Sequence, residues 1–314
     1  MSYREPVLSA NALEVLRARY LRRAPDGEIC ETPESLFRRV AHAIAQAEKR
    51  FDTVRQAAEW EERFRDAMVS LAFLPNSPTL MNAGTDTGQL SACFVLPVED
   101  SIDGIFTTLR EAARVHQTGG GTGFNFSALR PAGDLVSGTT GVASGPLSFI
   151  RVFNAATEEM RQGGRRRGAN MGILNADHPD IATFIDAKRE PDGLRNFNLS
   201  VGVSDAFMAA VETRATWDLK NPRTGSKVAS IDAATLFHRI AEAAWATGDP
   251  GLLFLDAIER ANPTPAVGPI GATNPCGEVP LLPYESCNLG SINLAACLRR
   301  EADGVSFDWS RFRT

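Results

Sequence analysis

The chain has 314 residues, 43% hydrophobic and 23% charged, a make-up that fits a folded globular protein and excludes a disordered one. Thirty-three basic against 38 acidic side chains leave a net charge of −5, which excludes a general cationic coat for direct nucleic-acid binding. No apolar run approaches the ~20 residues that span a bilayer, and the N-terminus lacks the apolar stretch of a cleaved leader, so the expectation is a cytoplasmic protein with no membrane partner.

Residues 1–72 read as an N-terminal helical region. Thr32 before Pro33 is an N-cap followed by a first-turn proline, and Leu36, Val40, Ile44 and Ala47 recur at helical spacing. A second amphipathic run covers Ala57–Leu71. From 73 to 314 short apolar runs alternate with helical stretches. The strand-like runs are LSACFVLPV, GTGFNFSAL, ANMGIL, NFNLSVGV, GLLFL and SINLA. The helices fall at about Ser101–His116, Pro146–Arg161, Asp180–Lys188, Ser204–Val211 and Ala233–Ala246. Strands this apolar suit an α/β fold with both sheet faces covered. Trp217–Lys227, with Asn221-Pro222 and Thr224-Gly225, reads as a local antiparallel excursion. Phe307–Thr314 stops on large apolar residues without a cap, as a fragment of a longer protein would.

Five cysteines with no C-x-x-C pair exclude a disulfide scaffold and a structural zinc site, leaving reactive thiols as their chemical use; no metal site is expected. Asn274-Pro275-Cys276-Gly277-Glu278 cannot be helix interior, so its backbone is extended or looped. If extended, Asn274, Cys276 and Glu278 share a face and bring an amide, a thiol and a carboxylate to one ligand; the plainer reading is a polar turn. Cys287 follows in PYESCNLGS, and Cys93 lies in a strand, where alone it reads as a small buried hydrophobe. Gly119–Gly123 permits close backbone approach to a ligand or simply a tight connection. The run from Arg161 to Asn170 is either a solvated loop or a nucleotide-sensing one, since arginine forks match phosphate and base edges. His42, His116, His178 and His238 show no metal spacing, and Cys30 and Cys297 read as spectators.

Seven stretches in order, FLPNSPTLMNAG, LSACF, GGGTGFNFSALRP, QGGRRRGANMG, DHPDI, NPCGE and PYESCNLGSINL, resemble the large subunits of ribonucleotide reductases, specifically the adenosylcobalamin-dependent class II enzymes. The resemblance covers about Phe73 to Ala296. It implies the ten-stranded α/β barrel of that family, here truncated to the first half or slightly more (73–314), behind the helical region. It implies radical reduction of ribonucleotides to 2′-deoxyribonucleotides for DNA synthesis. Carried over by residue, Cys276 bears the thiyl radical, Glu278 takes the 3′-hydroxyl proton, and Asn274 hydrogen-bonds the substrate hydroxyls. Cys93 and Cys287 are the dithiol that becomes a disulfide. Ser77, Ala92, Cys93, Gly121 and the NPCGE residues, Pro275 and Gly277 included, hold the substrate. Asp100, Ser101 and Arg130 bind a deoxynucleotide or ATP effector, and Gly163, Gly164, Arg165, Arg166 and Arg167 relay its signal. A thioredoxin-like reductant and a homodimer follow as expected partners. Adenosylcobalamin rests on the class resemblance alone, because no D-x-H-x-x-G motif is present. The rival readings are a class I large subunit served by a separate radical-generating subunit, and a noncatalytic effector-binding fragment.

Overall fold

The computed structural model describes residues 5–51, 54–135, 141–160, 168–189, 193–301 and 304–313. In chain order these form α1 (Ala10–Arg19), α2 (Pro33–Ala45), α3 (Val54–Val69), β1 (Phe73–Pro75), α4 (Ser77–Asn82), β2 (Cys93–Val95), α5 (Ile102–Gln117) and β3 (Gly121–Asn125). There follow α6 (Pro146–Glu159), β4 (Asn170–Asn175), α7 (Ile181–Ile185), β5 (Phe197–Val203), α8 (Asp205–Glu212), β6 (Thr216–Lys220), β7 (Lys227–Asp232) and α9 (Ala233–Thr247). The last elements are β8 (Gly251–Phe254), α10 (Leu255–Arg260), β9 (Ala272–Thr273), β10 (Pro280–Leu281), β11 (Ser286–Cys287), β12 (Gly290–Ile292), β13 (Leu298–Glu301), β14 (Gly304–Phe307) and α11 (Trp309–Arg313). They divide into two compact units, one holding the described residues up to Ala92 together with Asn288 onward, the other the described residues from Cys93 to Cys287.

In the first unit, Thr32 caps α2 reciprocally with Ser35: the Ser35 N–H donates to Thr32 Oγ1 and the Thr32 N–H to Ser35 Oγ. Leu36, Phe37, Val40 and Ala41 then fall on one face of α2 and pack with Met68 and Val69 of α3 and Leu80 of α4. The Arg39 guanidinium donates to the Ala83 and Leu80 carbonyls, two of the orphan acceptors at the end of α4, while paired with Glu31 at 2.7 Å. β12 pairs antiparallel with β1, so the strand expected from SINLA joins this unit and not the parallel sheet.

The second unit is built on a six-stranded sheet of order β11-β2-β3-β4-β5-β8. β2, β3, β4, β5 and β8 run parallel and β11 is antiparallel at one edge. Helices α5 to α9 lie in the connections between successive parallel strands. The helix at Asp180–Lys188 is shorter than its pattern suggests, and the excursion around 217–227 is the β6–β7 hairpin.

Alternation along the strands sorts the two faces. Phe124, Leu174, Phe197, Leu199, Val201 and Val203 turn to one side and meet Ile105, Ala112, Ile150, Phe153, Phe207, Leu236 and Ile240 of the helices. Phe124, Phe126 and Phe153 pack edge to face at 5.1 and 5.7 Å, each fully buried and worth about 1.5–3 kcal/mol in burial. The other face presents Gly121, Gly123 and Asn125 of β3, Met171 and Ile173 of β4, and Asn198 and Ser200 of β5. Here the cover is the β9–β10 hairpin, whose Ala272 and Leu281 join Val95, Met171, Ile173 and Leu253 in a second cluster. Both faces are covered, one by helices and one by a single hairpin.

Candidate active site

The hairpin carries the NPCGE sequence at its tip. The Gly277 N–H donates to the Asn274 carbonyl at 3.1 Å, closing a β-turn with Pro275 at its second position. Gly277 adopts φ +83°, a left-handed conformation that favours glycine. The Asn274 N–H donates to the Val279 carbonyl, and the Val279 N–H returns to Asn274 Oδ1 at 3.0 Å. Of the two backbones the pentapeptide allows, the protein uses the loop. Asn274 is therefore 1% exposed beneath the turn, while Cys276 and Glu278 are exposed above it.

The glycines of β3 are the seat of this turn. A Cβ at Gly121 would lie 2.6 Å from Pro275 Cγ, and one at Gly123 would lie 1.7 Å from the Thr273 carbonyl oxygen. Met171 lies below Gly277 at ordinary contact distance from where its Cβ would be, and Asn198 Nδ2 donates to the Pro275 carbonyl at 2.7 Å. Sequence reading missed Asn198. Its signal is an amide side chain alternating with Phe197 and Leu199 in NFNLSVGV, which places it on the opposite face of the strand.

Beside the turn lie two thiols. Cys287 of β11 and Cys93 of β2 are register partners across an antiparallel pair, which sets their Cα atoms roughly 4.5–5.5 Å apart, within disulfide range. Cys287 is hydrogen-bonded to both the side chain and the backbone of Cys93. Burial above all, then the neighbouring Cys93 and the Glu278 carboxylate, push the Cys287 thiol up to about 12. Asn274 Nδ2 faces Cys93 Sγ at 3.6 Å. Cys93, Cys287, Asn274 and Glu278 thus form one cluster, with Cys276 and Gly277 on the same turn. A thiol pair at this spacing can deliver two electrons and two hydrogens and close as a disulfide.

Asp100, Ser101 and Arg130 also come together, lining a cavity of about 380 Å³ with Ile105, Gly145 and Phe149. Arg130 Nε pairs with Asp100 at 2.9 Å, and Ser101 Oγ accepts from the Gly104 N–H to cap α5. The cavity therefore sits at the start of α5 and, through Gly145, of α6, two helix ends that favour an anion. Ser77, hydrogen-bonded to the Tyr20 hydroxyl at 2.8 Å, and buried Ala92 belong to the helical unit. Gly163, Gly164, Arg165, Arg166 and Arg167 lie outside the described residues. His116 and His178 are buried and His42 and His238 exposed; Cys30 is exposed and Cys297 buried. Among the described residues no group of three His, Cys, Asp or Glu side chains is placed to hold a metal ion.

Residues 7–88 match the all-alpha domain of ribonucleotide reductase and residues 91–314 its barrel domain. The chain belongs to the ribonucleotide reductase family. It is 56% identical over 305 residues to a vitamin B12-dependent ribonucleoside-diphosphate reductase of Mycobacterium tuberculosis, covering 97% of this chain and 43% of that protein. To the protein of the same name from Thermoplasma acidophilum it is 46% identical, over 98% of this chain and 47% of the relative. A ribonucleoside-diphosphate reductase large chain of Neurospora crassa is 31% identical over 91% of this chain and 33% of its own length. The chain thus spans less than half the length of these relatives. No helix among the described residues is long and apolar enough to cross a membrane.

Proposed function

We propose that the protein bearing this sequence reduces ribonucleotides to 2′-deoxyribonucleotides by radical chemistry and depends on adenosylcobalamin. The observation that carries this reading is the cross-strand pairing of Cys93 with Cys287 beside the turn that holds Cys276 and Glu278.

Cys276, exposed at a hairpin tip, suits the approach of a bulky radical source. Adenosylcobalamin, when bound, supplies a carbon radical able to take the thiol hydrogen atom; the steps at the sugar fall to side chains of this sequence. The Cys276 thiyl removes the ribose 3′ hydrogen while the Glu278 carboxylate takes the 3′-hydroxyl proton. The 2′ hydroxyl leaves as water. Cys93 and Cys287 together supply the two electrons and end as a disulfide, and Cys276 returns the 3′ hydrogen. The net change is ribonucleotide plus dithiol giving deoxyribonucleotide, disulfide and water. Asn274 holds Cys93 and locks the turn, and through its amide helps place the substrate hydroxyls, with Gly121 as a further substrate contact.

The cavity at Asp100, Ser101 and Arg130 is read as the effector site, its two helix N-termini suiting a nucleotide phosphate. Exposed Ile102 and Phe106 on α5 and Val152 on α6 lie on the helices that open this cavity, and support a homodimer there. A thioredoxin-like dithiol in the cytoplasm restores Cys93 and Cys287.

The test uses the complete protein, a ribonucleoside diphosphate and adenosylcobalamin without added dithiol. One equivalent of deoxynucleotide per active site, with a Cys93–Cys287 disulfide found by peptide mass spectrometry, is the expected result. Product with both thiols still reduced removes the reading.

A further inference from the structure

A chain of buried hydrogen bonds runs behind the turn, on the helix side of the sheet. Thr122 Oγ1 donates to Asn170 Oδ1 at 2.7 Å, so its oxygen must accept from His116 Nε2, which lies 3.0 Å away. Asn170 Nδ2 donates to Thr157 Oγ1 at 3.1 Å and to the Asn196 carbonyl at 3.0 Å, and Thr157 Oγ1 donates to the Phe153 carbonyl. All four side chains are at most 3% exposed. Burial lowers His116 to about 4, consistent with a neutral ring that carries its hydrogen on Nε2. The remaining ring nitrogen faces Gly168, where a Cβ would come within 3.1 Å of it and 2.8 Å of Thr157 Cγ2.

The placement gives this network its meaning. Thr122 and Asn170 are register partners on β3 and β4. Their immediate neighbours Gly121 and Met171 point to the opposite face, where they lie under Pro275 and Gly277. Gly121 is in turn the register partner of Cys93. The bonds therefore tie the ends of α5 and α6 to the two strand starts that form the floor of the Cys276 turn.

We propose that His116, Thr122, Asn170 and Thr157 are positioning residues, which set the Cys276 turn and its cover over Cys93 from the far face of the sheet. The proposal rests on the reading of these cysteines as the reactive thiols. Without the Thr122 hydroxyl, His116 and Asn170 lose their shared partner, β3 and β4 shift at Gly121 and Met171, and the Asn274 cover over Cys93 loosens.

The experiment compares Thr122→Val with Thr122→Ser by iodoacetamide labelling, read by mass spectrometry. Exposed Cys30 is the internal reference, and Cys297, buried in the other unit, reports general unfolding. Thr122→Val should raise Cys93 labelling at least fivefold with Cys297 unchanged, and Thr122→Ser should restore the wild-type rate. In the complete protein the same pair should show kcat down at least tenfold with KM unchanged, then recovery. Where Thr122→Val does not give folded protein, Thr157→Val, which removes the bonds to Asn170 and Phe153 and leaves the Thr122 hydroxyl in place, is read in the same way. Equal labelling rises at Cys93 and Cys297, or none at all, would overturn the proposal. If the wild-type complete protein forms no deoxynucleotide, the reductase reading fails while the labelling ratio still decides the positioning role.

Discussion

At the scale of single residues, the members of the cluster were legible because N-P-C-G-E and the two outlying cysteines are rare combinations in a recognisable order, and the fold brings Cys93, Cys287, Asn274 and Glu278 together. What the sequence left open was which backbone they ride on. Strand alternation put Asn274 beside Cys276, and the turn put it underneath, because Gly277 at positive φ and the Asn274–Val279 bonds close a loop instead of a strand. Two consequences are measurable. An O–H bond is stronger than S–H, so in the complete protein Cys276→Ser should form no deoxynucleotide while nucleotide affinity stays within about threefold, as read by equilibrium binding. Cys93→Ser should instead stop the reaction after 3′ hydrogen removal, seen as tritium release from 3′-labelled substrate without product. For Cys287, a pKa near 12 leaves on the order of 1 in 10⁴ molecules as thiolate at pH 8, and each further pH unit raises that tenfold. Iodoacetamide labelling of Cys287 should therefore climb about tenfold per unit between pH 8 and 11, without a plateau near 9. The fold holds this proton more tightly than the unfolded chain does, so the thiol's contribution to stability is complete below about pH 9 and declines as pH rises towards 12. A plateau near pH 9 would show that Cys287 is not buried against Cys93.

Elements were legible where one physical signal dominated. The parallel strands are continuous apolar runs because helices bury one face and a hairpin the other. The helices announce themselves through caps such as Thr32, Ser101 and Ser204. Pairing partners were not legible: SINLA reads as one more strand of the sheet, yet β12 joins β1, a choice set by distant chain and not by local pattern. The same holds for GGGTGF. Its glycines signal close approach, but only the folded chain shows that the approaching group is the Cys276 hairpin. Gly123 is the sharper probe, because its neighbour is a backbone oxygen that no side-chain rotation can move aside. Gly123→Ala should lift β9 from β3, costing about 1–3 kcal/mol or more by urea unfolding, and abolish turnover in the complete protein. Gly133→Ala, where nothing lies within 4 Å but φ is +83°, isolates the backbone cost at about 1 kcal/mol and should leave turnover unchanged. Wild-type stability in Gly123→Ala would mean that the hairpin does not sit on β3.

At the scale of the molecule, the sheet ends at β8, which is hydrogen-bonded to β5 and is terminal in the strand order of the described residues. Five strands of this sheet run parallel, and the chain covers 43% and 47% of its two B12-dependent relatives cited above. An unpaired parallel edge is a template for further pairing, and Phe254 beside it, with Ile102 and Phe106 on α5, leaves large apolar side chains in water. Under the proposed function, reduction needs the base, sugar and phosphates held together near attack geometry, and the roles proposed for Cys93, Asn274, Cys276, Glu278 and Cys287 all concern the sugar. The 314-residue chain expressed alone should therefore self-associate on size-exclusion chromatography and form no deoxynucleotide with adenosylcobalamin and a dithiol. Nucleotide binding should survive, because Asp100, Ser101 and Arg130 and the helix starts around them lie within one unit. Equilibrium dialysis with a labelled deoxynucleoside triphosphate separates the two properties. Arg130→Ala, which frees the Asp100 carboxylate to face the incoming phosphates, should weaken that binding at least tenfold. Turnover by a monomeric 314-residue chain would show that the groups present already suffice for catalysis, and undiminished binding by Arg130→Ala would place the effector elsewhere.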